Sequence, residues 1–372
     1  MQRRTFFRAG VAAGLASITR PGLALAFPES PIRRAGPLRL DSNENPLGLA
    51  PAARSAVLEG MAEANRYPFT AMGPLREAIA ARHGTTAAHV LLGNGSTEIL
   101  RVAVAAFGGA EGLLITADPT FEDIADYARP FPYRVEKVPL TPAFAHDIPA
   151  MRSRAERATG PVVAYLCNPN NPTATLTGCA EIAGWIAEAP ERVFFVVDEA
   201  YFDFVDDPRY WSFDRVAVEN PNVLVVRTFS KIFGMAGLRA GYGIGHPRTI
   251  ARLGAHVTQT TPNHLAQVAA IASLRDPDLV ARGRATNARA RRMLLDVLEE
   301  LDLECLPSHA NFVMHRIPGD LPTYQRRMQG RGVRVGRSFP PMLTYNRVSI
   351  GLPAEMEEFA GILRDFRAEG WV

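Results

Sequence analysis

The sequence predicts an α/β protein with two parts. The first is a large domain with a mostly parallel sheet covered by helices. The second is a smaller α+β C-terminal domain. Three observations carry this. Five short apolar runs are bounded by turn residues, as strands buried on both faces require. Helix-like segments separate several of them, the alternation of a parallel sheet with crossover helices. After about residue 262 the texture changes to long helical patterns with two short strand-like runs.

The elements follow in order. "HVLLG" (89–93) is a strand and "STEILRVAVAAF" the helix after it. "GLLIT" (112–116) is a strand followed by the helical "TFEDIADYA". "VVAYLC" (162–167) is a strand, and "CAEIAGWIAEA" its crossover helix. "RVFFVVD" (192–198) and "NVLVVRT" (222–228) complete the apolar strands. "HLAQVAAIASL" and "LVARGRATNARARRMLLDVLEEL" read as long helices, "ANFVMHR" (310–316) and "NRVSIGL" (346–352) as strands, and "AEMEEFAGILRDFRAE" as a closing helix. The expected division is an N-terminal signal at 1–26, an arm at 27–60, the large domain at 61–262 and the small domain at 263–372.

Composition is that of a globular protein, with 47% hydrophobic and 21% charged residues in 372. Formal net charge is +3, but Arg3, Arg4, Arg8 and Arg20 fall in the first 26 residues without an acid among them. The remainder is nearly balanced, so neither a nucleic-acid partner nor a charged binding tail is expected. Three cysteines are too few for a disulfide framework. "MQRRTFFR", the mildly apolar "AGVAAGLASI" and "ALA" at 24–26 have the layout of a cleavable export signal. The paired Arg3-Arg4 resemble a twin-arginine address. The expected location is therefore periplasmic or exported, with the cytoplasm as the alternative. No other run approaches the ~18 apolar residues of a membrane span, so no stable membrane anchor is expected.

Each apolar strand ends in an unusual polar motif. These are "GNGSTE" (93–98), "DPTF" (118–121), "NPNNPT" (168–173), "DEAY" (198–201) and "RTFSK" (227–231). In open α/β sheets, ligands bind beyond the carboxyl ends of the strands. Five motifs therefore converge on one crevice. Gly95 lets backbone approach a ligand closely, and the helix start at Ser96 and Thr97 favours an anion. The same pattern also serves as a plain glycine turn with a helix cap. Asp198 closes an apolar strand, where a carboxylate is costly without a partner; it is either a helix cap or a charge held against a cationic ring nitrogen.

Lys231 is one of only two lysines, the other being Lys137; arginine supplies every other basic side chain apart from histidine. A lysine in a crevice loses its proton readily and attacks a carbonyl. Arg239, eight residues on, offers a guanidinium fork for a phosphate. Phosphate, aldehyde, aromatic ring and ring nitrogen together describe pyridoxal 5′-phosphate. No metal is expected.

These motifs, with "LDSNENPLG" (40–48), "NRYP" (65–68), "GLRAGY" (237–242), "SHANFV" (308–313) and "RVSIG" (347–351), span nearly the whole chain. They resemble the class I/II aminotransferases of pyridoxal-phosphate fold type I, most closely the histidinol-phosphate aminotransferases. The resemblance implies roles. Lys231 holds the cofactor's aldehyde and shuttles the substrate proton, and Asp198 pairs with the ring nitrogen. Asn171 and Tyr201 bond the ring's phenolic oxygen, and Phe121 stacks on the ring. Gly95, Ser96, Thr97, Ser230 and Arg239 hold the phosphate. Tyr67 reaches it from a second subunit, so a homodimer is implied. Arg347, Arg337 and Asn45 face the substrate.

The reaction implied moves an amino group between an amino acid, such as glutamate with 2-oxoglutarate, and histidinol phosphate with imidazole acetol phosphate. Aromatic amino-acid transamination, or decarboxylation on the same fold, is the alternative. A binding protein without turnover has no need of the lysine. Two departures stand out. Ala174 follows "NPT" where relatives have glycine, which bears on a turn rather than the cofactor. Arg337 comes one residue later than the relatives' phosphate-binding arginine near Gly336.

Overall fold

The computed structural model describes residues 36–372 apart from Ala110 and Pro132. The export signal expected at 1–26 lies outside these residues. The described chain begins on a short strand, β1 (Leu38–Leu40), and continues through helices α1 (Pro51–Gly60) and α2 (Met72–Arg82).

The central sheet then forms from β2 (Val90–Gly93), β3 (Leu113–Asp118), β4 (Arg134–Pro139), β5 (Val162–Cys167), β6 (Val193–Asp198), β7 (Val223–Thr228) and β8 (Gly241–Gly245). Its order is β2-β8-β7-β6-β5-β3-β4. Neighbours pair in parallel except where β8 meets β2 and β7. Connecting helices are α3 (Ser96–Phe107), α4 (Asp123–Ala128), α5 (Ile148–Arg157), α6 (Cys179–Glu188), α7 (Asp214–Glu219) and α8 (Pro247–Gly254). Every residue of β5, β6 and β7 is buried. That is why these strands read as unbroken apolar runs, each full side-chain burial contributing about 1.5–3 kcal/mol.

Two strands of this sheet differ from the sequence reading. β4 is an edge strand with alternating charges, "RVEKVP", largely open to solvent. β8 is "GYGIG", whose glycines carry little strand propensity. Close approach explains them: a Cβ on Gly241 would lie 2.3 Å from the Ser96 nitrogen.

Register aligns the strand ends. Cys167 pairs with Asp198 and Asp198 with Val226. Gly241 pairs with both Thr228 and Gly93. The polar motifs therefore leave the sheet along one edge.

The remaining elements are α9 (His264–Leu274), α10 (Leu279–Glu300), β9 (Phe312–Arg316), α11 (Leu321–Gly330), β10 (Val333–Val335), β11 (Tyr345–Ser349) and α12 (Pro353–Ala368). β9 and β11 pair antiparallel, and β10 pairs with β1 in parallel. Ala266, Ala269 and Ala270 of α9 share a core with Ala53 of α1 and Ile79 of α2. A second core joins Leu38 and Leu40 of β1 to Leu294, Val313, Phe359 and Phe366. Packing changes hands along α10, with Leu279 in the first core and Leu294 in the second. Among the described residues no helix is long and apolar enough to cross a membrane.

Candidate active site

A cavity of about 310 Å³ opens where the strand motifs leave the sheet. One end is cationic. Gly95 has φ +78°, and a Cβ there would fall 2.3 Å from Arg239 Nη2, so the guanidinium lies against bare backbone. Arg239 itself sits at φ +63°. Its Nη1 donates to the Ala236 carbonyl at 2.9 Å and to Ser230 Oγ at 3.3 Å. Thr228 Oγ1 donates to Ser230 Oγ at 2.9 Å. Ser96 and Thr97 open α3 and line the same end. Guanidinium, hydroxyls and a helix N-terminus make a cradle for a phosphate-like anion.

The acid lies at the bottom. Asp198 ends β6 and is 3% exposed. Tyr165 Oη donates to its Oδ2 at 2.9 Å and the Ala200 N–H to its Oδ1 at 3.1 Å. Burial pushes its pKa up to about 6 despite these donors. The adjacent Glu199 carries its own counterion, Arg227, at 2.6 Å in a buried pair.

Lys231 Nζ donates to the Asn43 carbonyl at 3.2 Å and lies 5.5 Å from the centre of the Tyr201 ring. Burial first, and the Arg347 charge second, bring its pKa down to about 8. A neutral, nucleophilic amine is thus accessible near physiological pH.

Two more guanidinium groups line the cavity. Arg347 is buried; its Nη1 donates to Asn171 Oδ1 at 2.8 Å and its Nη2 to the Asp41 carbonyl at 2.7 Å. Burial lowers its pKa to about 10, and its Nε has no partner among the described residues. Arg337 Nη2 donates to Glu122 Oε2 at 2.7 Å. Phe339 lies between them, its ring 4.3 Å from Arg337 Cζ and 4.6 Å from Arg347 Cζ. Phe121 supplies an aromatic wall.

The match to a family model decides the class: the Aminotransferase class I and II model matches residues 35–363. The chain belongs to this aminotransferase family. It is 37% identical over 334 residues to a histidinol-phosphate aminotransferase of Moorella thermoacetica, covering 89% of this chain and 86% of that one. It is 35% identical over 352 residues to an aromatic amino acid aminotransferase of Thermobifida fusca, covering 93% and 94%. The crystal structure of the Sinorhizobium meliloti histidinol-phosphate aminotransferase, solved with pyridoxal-5′-phosphate, has the same fold. The TM-score is 0.83 at 24% identity, covering 95% of this chain and 99% of that one.

The aminotransferase cavity draws together most of the residues expected from sequence: Ser96, Thr97, Phe121, Asn171, Asp198, Tyr201, Ser230, Lys231, Arg239, Arg337 and Arg347 all line it. Gly95 underlies Arg239. Two others stand elsewhere. Asn45 turns away; its Nδ2 donates to the Ile232 carbonyl at 2.8 Å. Tyr67 is 76% exposed, its ring tilted against that of Phe69 outside the cavity of its own chain.

Asn43, not named from the sequence, lines the cavity. It sits at φ +54° and is almost fully buried. Its Nδ2 donates to Tyr201 Oη at 3.0 Å, its N–H to Ser349 Oγ at 2.7 Å, and its carbonyl accepts from Lys231. The only signal was the crowding of "SNEN" just before Pro46. Tyr165 and Cys167 went unread as site residues because they lie inside an apolar strand.

The donor set fits pyridoxal 5′-phosphate on structural grounds. Among the described residues Asp198 is a buried carboxylate without a cation in direct contact, and the Arg239 cradle is built on glycine backbone that a Cβ would obstruct.

Proposed function

We propose that this aminotransferase takes pyridoxal 5′-phosphate and exchanges an amino group between an amino acid, which becomes its 2-oxo acid, and a phosphorylated ketone, which becomes an amino alcohol phosphate of the histidinol-phosphate type. The observation that supports the substrate reading is the pair Arg347 and Arg337, which flank Phe339 and line the lysine's cavity in addition to Arg239. Arg239 then serves the cofactor's phosphate and Arg347 the substrate's anion, with Arg337 joining Arg347 by exchanging its Glu122 partner for the substrate. The Moorella relative's activity agrees with this reading. The Thermobifida relative supports the alternative, an aromatic amino acid.

Bound pyridoxal phosphate supplies an electron sink for the bonds at the substrate's Cα. The protein's residues do the rest. Arg239, Ser230, Ser96 and Thr97 anchor the phosphate. Asp198 holds positive charge at the ring nitrogen. Phe121 would pack against the cofactor's ring, and Asn171 and Tyr201 would bond its phenolic oxygen. Lys231, neutral above about pH 8, would carry the proton between the substrate's Cα and the cofactor's C4′ carbon. Arg347 fixes the substrate's anion. Its neighbours Asn171 and Asp41 contribute neutral oxygens, so the guanidinium charge stays available.

Arg337→Ala tests the substrate reading. Losing a charge-assisted contact costs about 1.5–3 kcal/mol, or roughly ten- to more than hundredfold in kcat/KM. That loss is expected with histidinol phosphate and not with phenylalanine. Equal behaviour with both, or no turnover of histidinol phosphate by the unmutated enzyme, moves the assignment to an unphosphorylated amino acid.

The reading includes a homodimer, in which the exposed Tyr67 serves a second subunit's phosphate cradle; a monomeric mass in solution with full activity contradicts it. It also includes export through Arg3-Arg4. A Lys-Lys replacement is expected to strand the precursor in the cytoplasm, and native protein found there with an intact N-terminus rules export out.

A further inference from the structure

We propose that Tyr165 is a positioning residue for this reaction: its phenol holds the Asp198 carboxylate ionised and in one orientation toward the cofactor's ring nitrogen. The inference rests on the reading that Asp198 faces that nitrogen.

The placement follows from strand register. Cys167 stands opposite Asp198 on the neighbouring strand, and Tyr165 opposite Val196. Tyr165 is thus two residues behind Cys167 on the same face of the sheet, and its ring runs forward beneath the site. It is fully buried, packed with Cys167, Val196 and residues of α3. Valine or leucine would fill such a strand position without a polar group. A phenol there is costly unless its hydroxyl is used. Its hydroxyl is used on Asp198 Oδ2, at 2.9 Å.

The second carboxylate oxygen accepts from the Ala200 N–H at 3.1 Å. One donor on each oxygen fixes the plane of the carboxylate. An ionised carboxylate offers about four acceptor positions, so two remain for the ring nitrogen. The other charges around Asp198 do not substitute for Tyr165. Glu199 is repulsive, though Arg227 neutralises it, and Lys231 acts only at longer range. Against burial, the Tyr165 hydrogen bond is the strongest of the contacts that favour the charged form.

Tyr165→Phe removes one oxygen and leaves the ring in place. The readout is the affinity of the apoprotein for pyridoxal phosphate, followed by fluorescence quenching from pH 5 to 9. Loss of a hydrogen bond to a charged group is expected to weaken binding about tenfold or more at neutral pH. The acid limb of the profile should move to higher pH. In an Asp198→Asn background the same change should alter affinity less than about twofold, because the coupling is lost.

Unchanged affinity and acid limb, or equal weakening with and without Asp198→Asn, overturns the proposal. If Tyr165→Phe does not fold, 3-fluorotyrosine placed at position 165 gives a second measurement. Its more acidic phenol donates more strongly and should move the acid limb to lower pH; no movement overturns the proposal equally. Wild-type protein that binds no pyridoxal phosphate removes the cofactor reading and this inference together. Normal wild-type binding with an indifferent Tyr165→Phe removes this inference alone.

Discussion

Lys231 and Asp198 are both held away from their ordinary ionisation, with pKa shifts of opposite direction. The Lys231 pKa is lowered to about 8, so the unfolded chain binds its proton more tightly than the folded one. Its penalty is full below pH 8 and fades as pH rises from there toward 10.5. The Asp198 pKa is raised to about 6. Its contribution to stability is present below about pH 4 and is lost as pH rises through 6. At neutral pH each residue therefore costs the apoprotein stability that its function demands. Asp198→Asn is expected to raise the apoprotein's melting temperature at pH 7.5 by roughly 2–4 °C. The gain should shrink toward pH 4, while use of the cofactor collapses. Calorimetry across this range checks it; a lower melting temperature at pH 7.5 would show Asp198 to be a structural cap.

At the scale of elements, the sheet places the chemistry. The buried strands were legible because β5, β6 and β7 are apolar on both faces, and the motifs at their ends gave the site. What escaped was decided by tertiary approach. β8 is glycine-rich because it lies against the cradle: a Cβ on Gly241 would fall 2.3 Å from the Ser96 nitrogen and 2.5 Å from the Gly95 carbonyl carbon. Backbone on both sides cannot yield cheaply. Gly241→Ala is therefore expected to weaken pyridoxal phosphate binding roughly tenfold or more, with a strain cost of about 1–3 kcal/mol. Titration of the apo variant measures this, and wild-type affinity would mean that the cradle tolerates displacement. Ala174, where the family resemblance implies glycine, occupies a left-handed turn at φ +62°. Its carbonyl accepts from the His309 N–H at 2.9 Å, and the residue does not line the cavity.

At the scale of the molecule, the site depends on segments far apart in sequence. Strand β1 belongs to the same core as β9 and β11, and the chain after it carries Asn43 between Lys231, Tyr201 and Ser349. No local pattern announces such a junction, which is why Asn43 is not legible from the sequence. Arg347 was legible from its motif, but its Asn171 and Asp41 partners arise only from the meeting of these segments. The two lysines give the whole arrangement its most direct test. Lys231 lines the cavity, whereas Lys137 lies on edge strand β4, half exposed and 3.8 Å from Asp118. Protein loaded with pyridoxal phosphate, reduced with borohydride and digested, should carry the stable adduct on the peptide containing Lys231. An adduct on Lys137, or none, contradicts the account.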